Sequence, residues 1–128
     1  MIQRVLVADD EAMARELMCD TLQTLDRSLD ITTAQDGEEA CSLLDSDSFD
    51  VVFTDLKMPH KDGLQVLQKM RTTPQPGEVV IVTGFGDVNT AVEAMKQGSF
   101  DYLLKPVCVE QVEVLMNKIR EHRRLVAQ

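Results

Sequence analysis

Two apolar patterns alternate along the chain. Short runs rich in β-branched residues fall at Val5–Ala8, Ile31–Ala34, Val51–Thr54, Val79–Val82 and Tyr102–Leu104, and each is followed by a longer stretch of helical period. The runs "VVFT" and "VVIV" do not alternate between apolar and polar residues, as expected of central strands covered by helices on both faces. The first helical stretch carries Ala14, Leu17, Met18, Thr21, Leu22 and Leu25 on one stripe, with Arg15, Glu16, Asp20 and Gln23 opposite. Similar stripes occur at Val88, Ala91, Val92 and Met95 and at Val112, Leu115, Met116 and Ile119, with weaker ones around Ala40–Leu44 and Leu64–Met70. Between them lie "DGEEA", "HKDG", "TPQPGE", "GFGD" and "KQGSFD", which supply the Gly, Pro and Asp that turns require. The pattern predicts about five β and five α elements in one α/β domain over residues 1–128, a doubly wound parallel sheet. Crossovers in such a sheet are right-handed, and where the strand order reverses a crevice opens beyond the carboxyl ends of the strands, where ligands bind.

Composition narrows the function. The 128 residues, 44% hydrophobic, suffice for a single core. A net charge of −9, from 22 acidic and 13 basic residues, disfavours direct binding to nucleic acid or an anionic membrane surface and favours a cation or a basic partner. Cys19, Cys41 and Cys108 are odd in number and lack CxxC spacing, so they are read as buried thiols in a reducing, cytoplasmic setting. Met13, Met18, Met58, Met70, Met95 and Met116 are assigned mainly to core packing. No leader-like or membrane-spanning apolar run is evident.

The polar residues that end the predicted strands all fall at one edge: Asp9 and Asp10 after the first, Asp55 after the third, Thr83 after the fourth and Lys105 after the fifth. Each has an ordinary explanation. Asp9, Asp10 and Glu11 could cap a helix and meet the positive end of its dipole. "TDLKMP" could be a simple strand exit, "TGFGD" a turn, and Lys105 a solvated side chain. Taken jointly they are harder to explain so, because carboxylates about 5 Å apart at an effective dielectric near 20 repel by roughly 3 kcal/mol per pair. A hard divalent cation such as Mg²⁺ would offset that repulsion and attract a phosphate-type anion, for which Thr83 and Lys105 supply a hydroxyl and an ammonium.

The segments "VLVADDE", "DVVFTDLKMPHKDG", "VVIVTGFGD" and "FDYLLKP", in this order and spacing, resemble the receiver domain of two-component response regulators over nearly the whole chain. The resemblance implies a flavodoxin-like (βα)5 sandwich with strand order 2-1-3-4-5. It implies that Asp55 is the phosphoacceptor, that Asp10, Asp55 and the backbone carbonyl of Lys57 ligate Mg²⁺, and that Asp9 acts mainly through a metal-bound water. Thr83 and Lys105 then bind the phosphoryl oxygens, and Tyr102 acts with Thr83 as a switch. The implied partner is a sensor histidine kinase, and Lys105-Pro106 is expected to be cis. Lys57 and Phe85 occupy positions that tune the lifetime of the phosphoryl group. "TGFGDVNTAVEAMKQGSFDYLLKP" looks especially like receivers of nitrogen-regulation type transcriptional activators, so the chain is read either as a stand-alone receiver or, preferentially, as an excised N-terminal domain whose effector would carry ATPase and DNA-binding domains. The output face implied is that of the fourth helix, fifth strand and fifth helix, a candidate homodimer surface because Val114, Leu125 and Val126 lie off the core stripe.

Three other readings stand beside this one. An aspartyl-phosphate phosphatase or mutase would carry a second acid two residues after the nucleophile, where this chain has Lys57. A Rossmann-like nucleotide enzyme would need GxGxxG or GxxxxGK[ST] after the first strand, which holds "DDEAMA" instead. A receiver kept only as an interaction module is opposed by the complete set Asp9, Asp10, Asp55, Thr83 and Lys105. His60 and His122 are read as solvated surface residues.

Overall fold

The computed structural model describes residues 2–84 and 87–126. Five strands and five helices alternate: β1 (Arg4–Ala8), α1 (Ala12–Leu25), β2 (Asp30–Ala34), α2 (Gly37–Ser46), β3 (Val51–Asp55), α3 (Gly63–Arg71), β4 (Glu78–Thr83), α4 (Val88–Lys96), β5 (Asp101–Leu104) and α5 (Val109–Val126). The strands form one parallel sheet in the order 2-1-3-4-5, as the family resemblance implied. Every residue of β3 is buried, whereas the edge strand β2 buries only Ala34, so the non-alternating runs do mark the interior of the sheet.

Alternation of side chains along each strand divides the core in two. Val5, Val7, Val51, Phe53, Val80, Val82 and Leu103 pack on one face with Met18 and Leu22 of α1 and Val112, Leu115, Met116 and Ile119 of α5. On the other face, Leu6, Val52, Val79 and Ile81 meet α2, α3 and α4, with Tyr102 partly buried against the same cluster.

The helices begin in different ways. Asp36 accepts from the Glu39 amide at 2.8 Å to cap α2, and Asp62 with Gln65 forms a reciprocal capping box at α3. Neither Glu11 before α1 nor Asp87 before α4 makes a side-chain cap. At the end of the molecule away from the strand carboxyl termini, Asp50 accepts from the Gln3 and Arg4 amides and pairs with Arg123 at 2.8 Å, tying β1, β3 and α5 together.

Several expectations are corrected. In α4 the buried residues are Ala91 and Ala94, while Val92 and Met95 are 44% and 37% exposed, because that helix seats on the sheet through small residues. Leu17 on the α1 stripe is 46% exposed, and Met13 stands almost free in solvent. Only Cys41 is a buried thiol: Cys19 is half-buried and Cys108, in the turn before α5, is exposed. The two faces of α5 yield a stability prediction. Ile119→Ala should cost about 2–5 kcal/mol by leaving a cavity, and Val114→Ala, on the exposed face, less than about 0.5 kcal/mol. Urea-unfolding midpoints measure both, and equal losses would contradict the assignment of faces.

Candidate functional site

Sheet register sets the site. Ala8 pairs with Thr54, Asp55 with Val82 and Thr83 with Leu104, so the carboxyl ends of β1, β3, β4 and β5 finish level. The residues that follow continue the alternation, and Asp9, Asp55 and Lys105 emerge on the side covered by α1 and α5. Gly63 lets α3 start close behind: its amide donates to the Leu56 carbonyl at 2.8 Å, and a Cβ at Gly63 would come within 2.5 Å of the Asp55 carbonyl oxygen.

Three carboxylates converge on a single ammonium. Lys105 Nζ lies 3.0 Å from Asp9 Oδ2, 3.1 Å from Asp55 Oδ2 and 3.6 Å from Glu11 Oε1. The other oxygen of Asp55 accepts from the Leu56 amide at 2.8 Å, and that of Asp9 from the Glu11 amide at 3.0 Å. Arg15 donates to the Asp9 carbonyl at 2.8 Å and holds the turn into α1. These bonds fix where the carboxylates point before any ligand arrives.

Asp9 and Asp55 are both buried. Beside them opens a cavity of about 300 Å³ with apolar walls that include Ala14, Met18, Phe53 and Val107. Burial pushes the Asp55 carboxyl above the usual carboxylate range; Lys105 opposes that rise and the Asp9 charge reinforces it. For Lys105, burial works to lower the ammonium's pKa, but hydrogen bonding to Asp9 and the charges of Asp55 and Asp9 outweigh it and hold it raised. The ammonium therefore stays charged while one neighbouring carboxylate is under electrostatic stress.

Among the described residues, Asp9, Glu11 and Asp55 present carboxylate oxygens all within 4.8 Å of one another. An all-oxygen, anionic set of this kind suits a hard divalent cation. The sequence points to Glu11 only as a cap and not as a metal ligand; no sequence signal separates it from Asp10. Asp10 itself is exposed and lies outside that carboxylate set. No side-chain cap from Glu11 reaches α1, which weakens the simplest alternative explanation of the acidic triplet.

The other expected residues lie around this centre. Thr83 is fully buried, and its hydroxyl donates to the Gly84 carbonyl at a long 3.4 Å. Tyr102 pairs in register with Ile81, on the face of the sheet opposite Asp55. The Lys57 ammonium is 2.9 Å from Asp87 Oδ1 at the start of α4. The Lys105-Pro106 bond is cis. Phe85 lies outside the described residues. His60, exposed and at positive φ, bonds Asp36 at 3.1 Å, and His122 lies edge-on to Phe100 at 5.6 Å, so neither joins the site.

The response regulator receiver domain model matches residues 5–120. Among curated proteins, the chain is 35% identical over 114 residues to the response regulator protein PilR of Pseudomonas aeruginosa, covering 89% of this chain and 25% of that protein. It is 37% identical over 124 residues to the alginate biosynthesis transcriptional regulatory protein AlgB of the same organism, covering 97% and 27%. The chain thus spans about a quarter of the length of these relatives. Among solved structures, the receiver domain of AraT from Geobacillus stearothermophilus superposes with a TM-score of 0.87 at 32% identity, with both chains fully covered. NtrX from Brucella abortus gives 0.86 at 28% identity, over 99% of this chain and 28% of that one.

The electrostatics predict how stability depends on pH. Because the folded-state pKa of Asp55 is raised, its contribution is favourable below the ordinary carboxylate pKa and is lost as pH rises through the folded value. In metal-free buffer, Asp55→Asn should therefore unfold at a higher temperature than the parent near pH 7, with the gap shrinking toward pH 4. Lys105→Ala should cost about 2–3 kcal/mol at neutral pH, less than the roughly 3–5 kcal/mol of a fully buried pair because the ammonium keeps some solvent contact. Calorimetric scans across this pH range test both, and a gap that widens on acidification would contradict the assignment.

Proposed function

Because the chain belongs to the response regulator receiver family, we propose that it accepts a phosphoryl group from a sensor histidine kinase on Asp55 in the presence of Mg²⁺ and passes the signal to an effector. The observation that carries this reading is the convergence of Asp9, Glu11 and Asp55 on Lys105 at the carboxyl ends of adjacent strands. Such an arrangement is costly unless cations and a phosphoryl group use it.

Asp9, Asp10, Asp55 and the backbone carbonyl of Lys57 are the groups proposed to hold the cation, with Glu11 near enough to take part. When bound, Mg²⁺ supplies positive charge against the phosphoryl oxygens and the attacking carboxylate. The remaining chemistry belongs to the chain. A carboxylate oxygen of Asp55 attacks the phosphorus of a phosphohistidine in line; a P–O bond forms, the P–N bond breaks, and the departing imidazole takes a proton from solvent. As Asp55 loses its charge to the acyl phosphate, the Lys105 ammonium follows that charge to a phosphoryl oxygen. Thr83 exchanges its weak bond to Gly84 for another phosphoryl oxygen, and Tyr102 moves into the space left on that face.

The changed surface is then that of α4, β5 and α5, where Val92, Met95, Val114 and Leu125 are exposed. A homodimer through this face, and control of transcription by an effector carrying ATPase and DNA-binding units, follow the pattern of the transcriptional regulators that the chain resembles. The domain is a signalling phosphoacceptor that helps catalyse its own modification. No helix among the described residues is long and apolar enough to cross a membrane.

Incubation with acetyl phosphate should add one phosphoryl mass, located by mass spectrometry on Asp55, and should require a divalent cation. Asp55→Asn should abolish the label, and Lys105→Ala should slow it by about tenfold or more through loss of one charge-assisted contact. Label retained in Asp55→Asn, or undiminished in EDTA, would overturn the reading.

A further inference from the structure

Asp87 occupies the N-cap position of α4, where an aspartate ordinarily turns its carboxylate onto the first free amides of the helix. It does not do so here. Its backbone is not extended, at φ −113° and ψ 17°, it makes no side-chain cap, and its carboxylate is committed to the Lys57 ammonium at 2.9 Å. The pair joins the loop that follows Asp55 to the first turn of α4.

At its other end α4 is tied to α3. Arg71 donates to the Gln97 carbonyl, and Gln68 donates to the Gln97 side chain at 3.2 Å. Between the two ends the helix buries only Ala91 and Ala94. Apolar packing therefore anchors α4 weakly, since two methyl groups remove little area from water. Its seat depends correspondingly on the polar ties at its ends.

Lys57 is 80% exposed, on a flexible four-carbon stem, and follows Asp55 by two residues, at most about 7 Å of chain even when fully extended. The Lys57 ammonium is held above the usual lysine range first by its hydrogen bond to Asp87, and the Asp55 charge adds to the effect. A phosphoryl group on Asp55 would bring about two negative charges within reach of the same ammonium.

Building on the phosphoacceptor reading, we infer that Lys57 is an exchangeable tether: it pairs with Asp87 while Asp55 is unmodified and turns to the phosphoryl group once Asp55 is modified, releasing the first turn of α4. The end held by Arg71 and Gln68 stays in place, so α4 pivots about its C-terminal turn. Lys57 is thus a positioning residue that links chemistry at Asp55 to the seat of α4, separately from the route through Thr83 and Tyr102 on β4 and β5.

The test is solution NMR of the ¹⁵N-labelled chain with Mg²⁺, with and without beryllofluoride as phosphoryl mimic. Fluorine resonances report binding of the mimic, and the amides of Ala91 and Val92 report the seat of α4. In unmodified Lys57→Met these amides should move along the line joining the parent's free and beryllofluoride-bound positions. The displacement should match an approximately two- to fivefold shift in population, the scale of one exposed ion pair. Lys57→Arg, which keeps the charge, should stay at the parent's free position. Amides of unmodified Lys57→Met that coincide with the parent's, while the parent binds beryllofluoride, would overturn the tether alone. Failure of the parent to bind beryllofluoride would overturn the phosphoacceptor reading and the tether with it.

Discussion

Mutual repulsion of carboxylates at the carboxyl ends of β1 and β3 governs the rest of the site. Parallel pairing leaves Asp9 beside Asp55 with no freedom to separate, and burial against apolar walls removes the water that would screen them. Lys105 offsets part of the repulsion by contacting both acids, at 3.0 and 3.1 Å, but one ammonium faces three carboxylates once Glu11 is counted. The residual negative charge of an all-oxygen set suits a hard divalent cation. The raised pKa of Asp55 follows from burial first, with the Asp9 charge adding to it.

The same register also orders the residues beside the site on β4 and β5. Thr83 and Leu104 pair across β4 and β5, and Tyr102 lies one alternation back on the same face, next to Ile81. On that face the Thr83 hydroxyl makes a single long bond to the Gly84 carbonyl, and the Tyr102 ring is only partly buried. Beyond these strands lies α4, the helix with the smallest apolar seat, held by polar contacts at each end. By contrast, α5 buries four large residues and is clamped through Arg123 to Asp50 at the opposite end of the sheet. Polar ties thus hold the helix whose packing is thin, and the frame around Asp9, Asp55 and Lys105 is packed tightly.

Much of this was legible in the residues because strong periodic signals are local. Runs such as "VVFT" specify strands buried on both faces, and the stripe of Val112, Leu115, Met116 and Ile119 specifies a docked helix without knowledge of its neighbours. The strand order and cis Lys105-Pro106 were legible only through family resemblance, since periodicity says nothing of which strands neighbour each other. The α4 stripe misled because Val92 and Met95 fit the period, yet Ala91 and Ala94 fit the narrow space against the sheet. Residue type alone predicts a buried Cys108, but a turn before a helix keeps its thiol in solvent. Glu11's approach to Lys105 and the Lys57–Asp87 pair are tertiary facts between residues far apart in the chain, with no trace in local pattern.

Binding of a divalent cation by the acidic cluster centred on Asp55 can be read from the melting temperature as a function of Mg²⁺ concentration. The parent should gain stability with the logarithm of the concentration once binding saturates, reaching about 2.7 kcal/mol at one hundred times the dissociation constant, while Asp55→Asn gains far less. A parent whose melting temperature ignores Mg²⁺, or an Asp55→Asn variant that rises in step with it, would show that the cluster does not bind the cation.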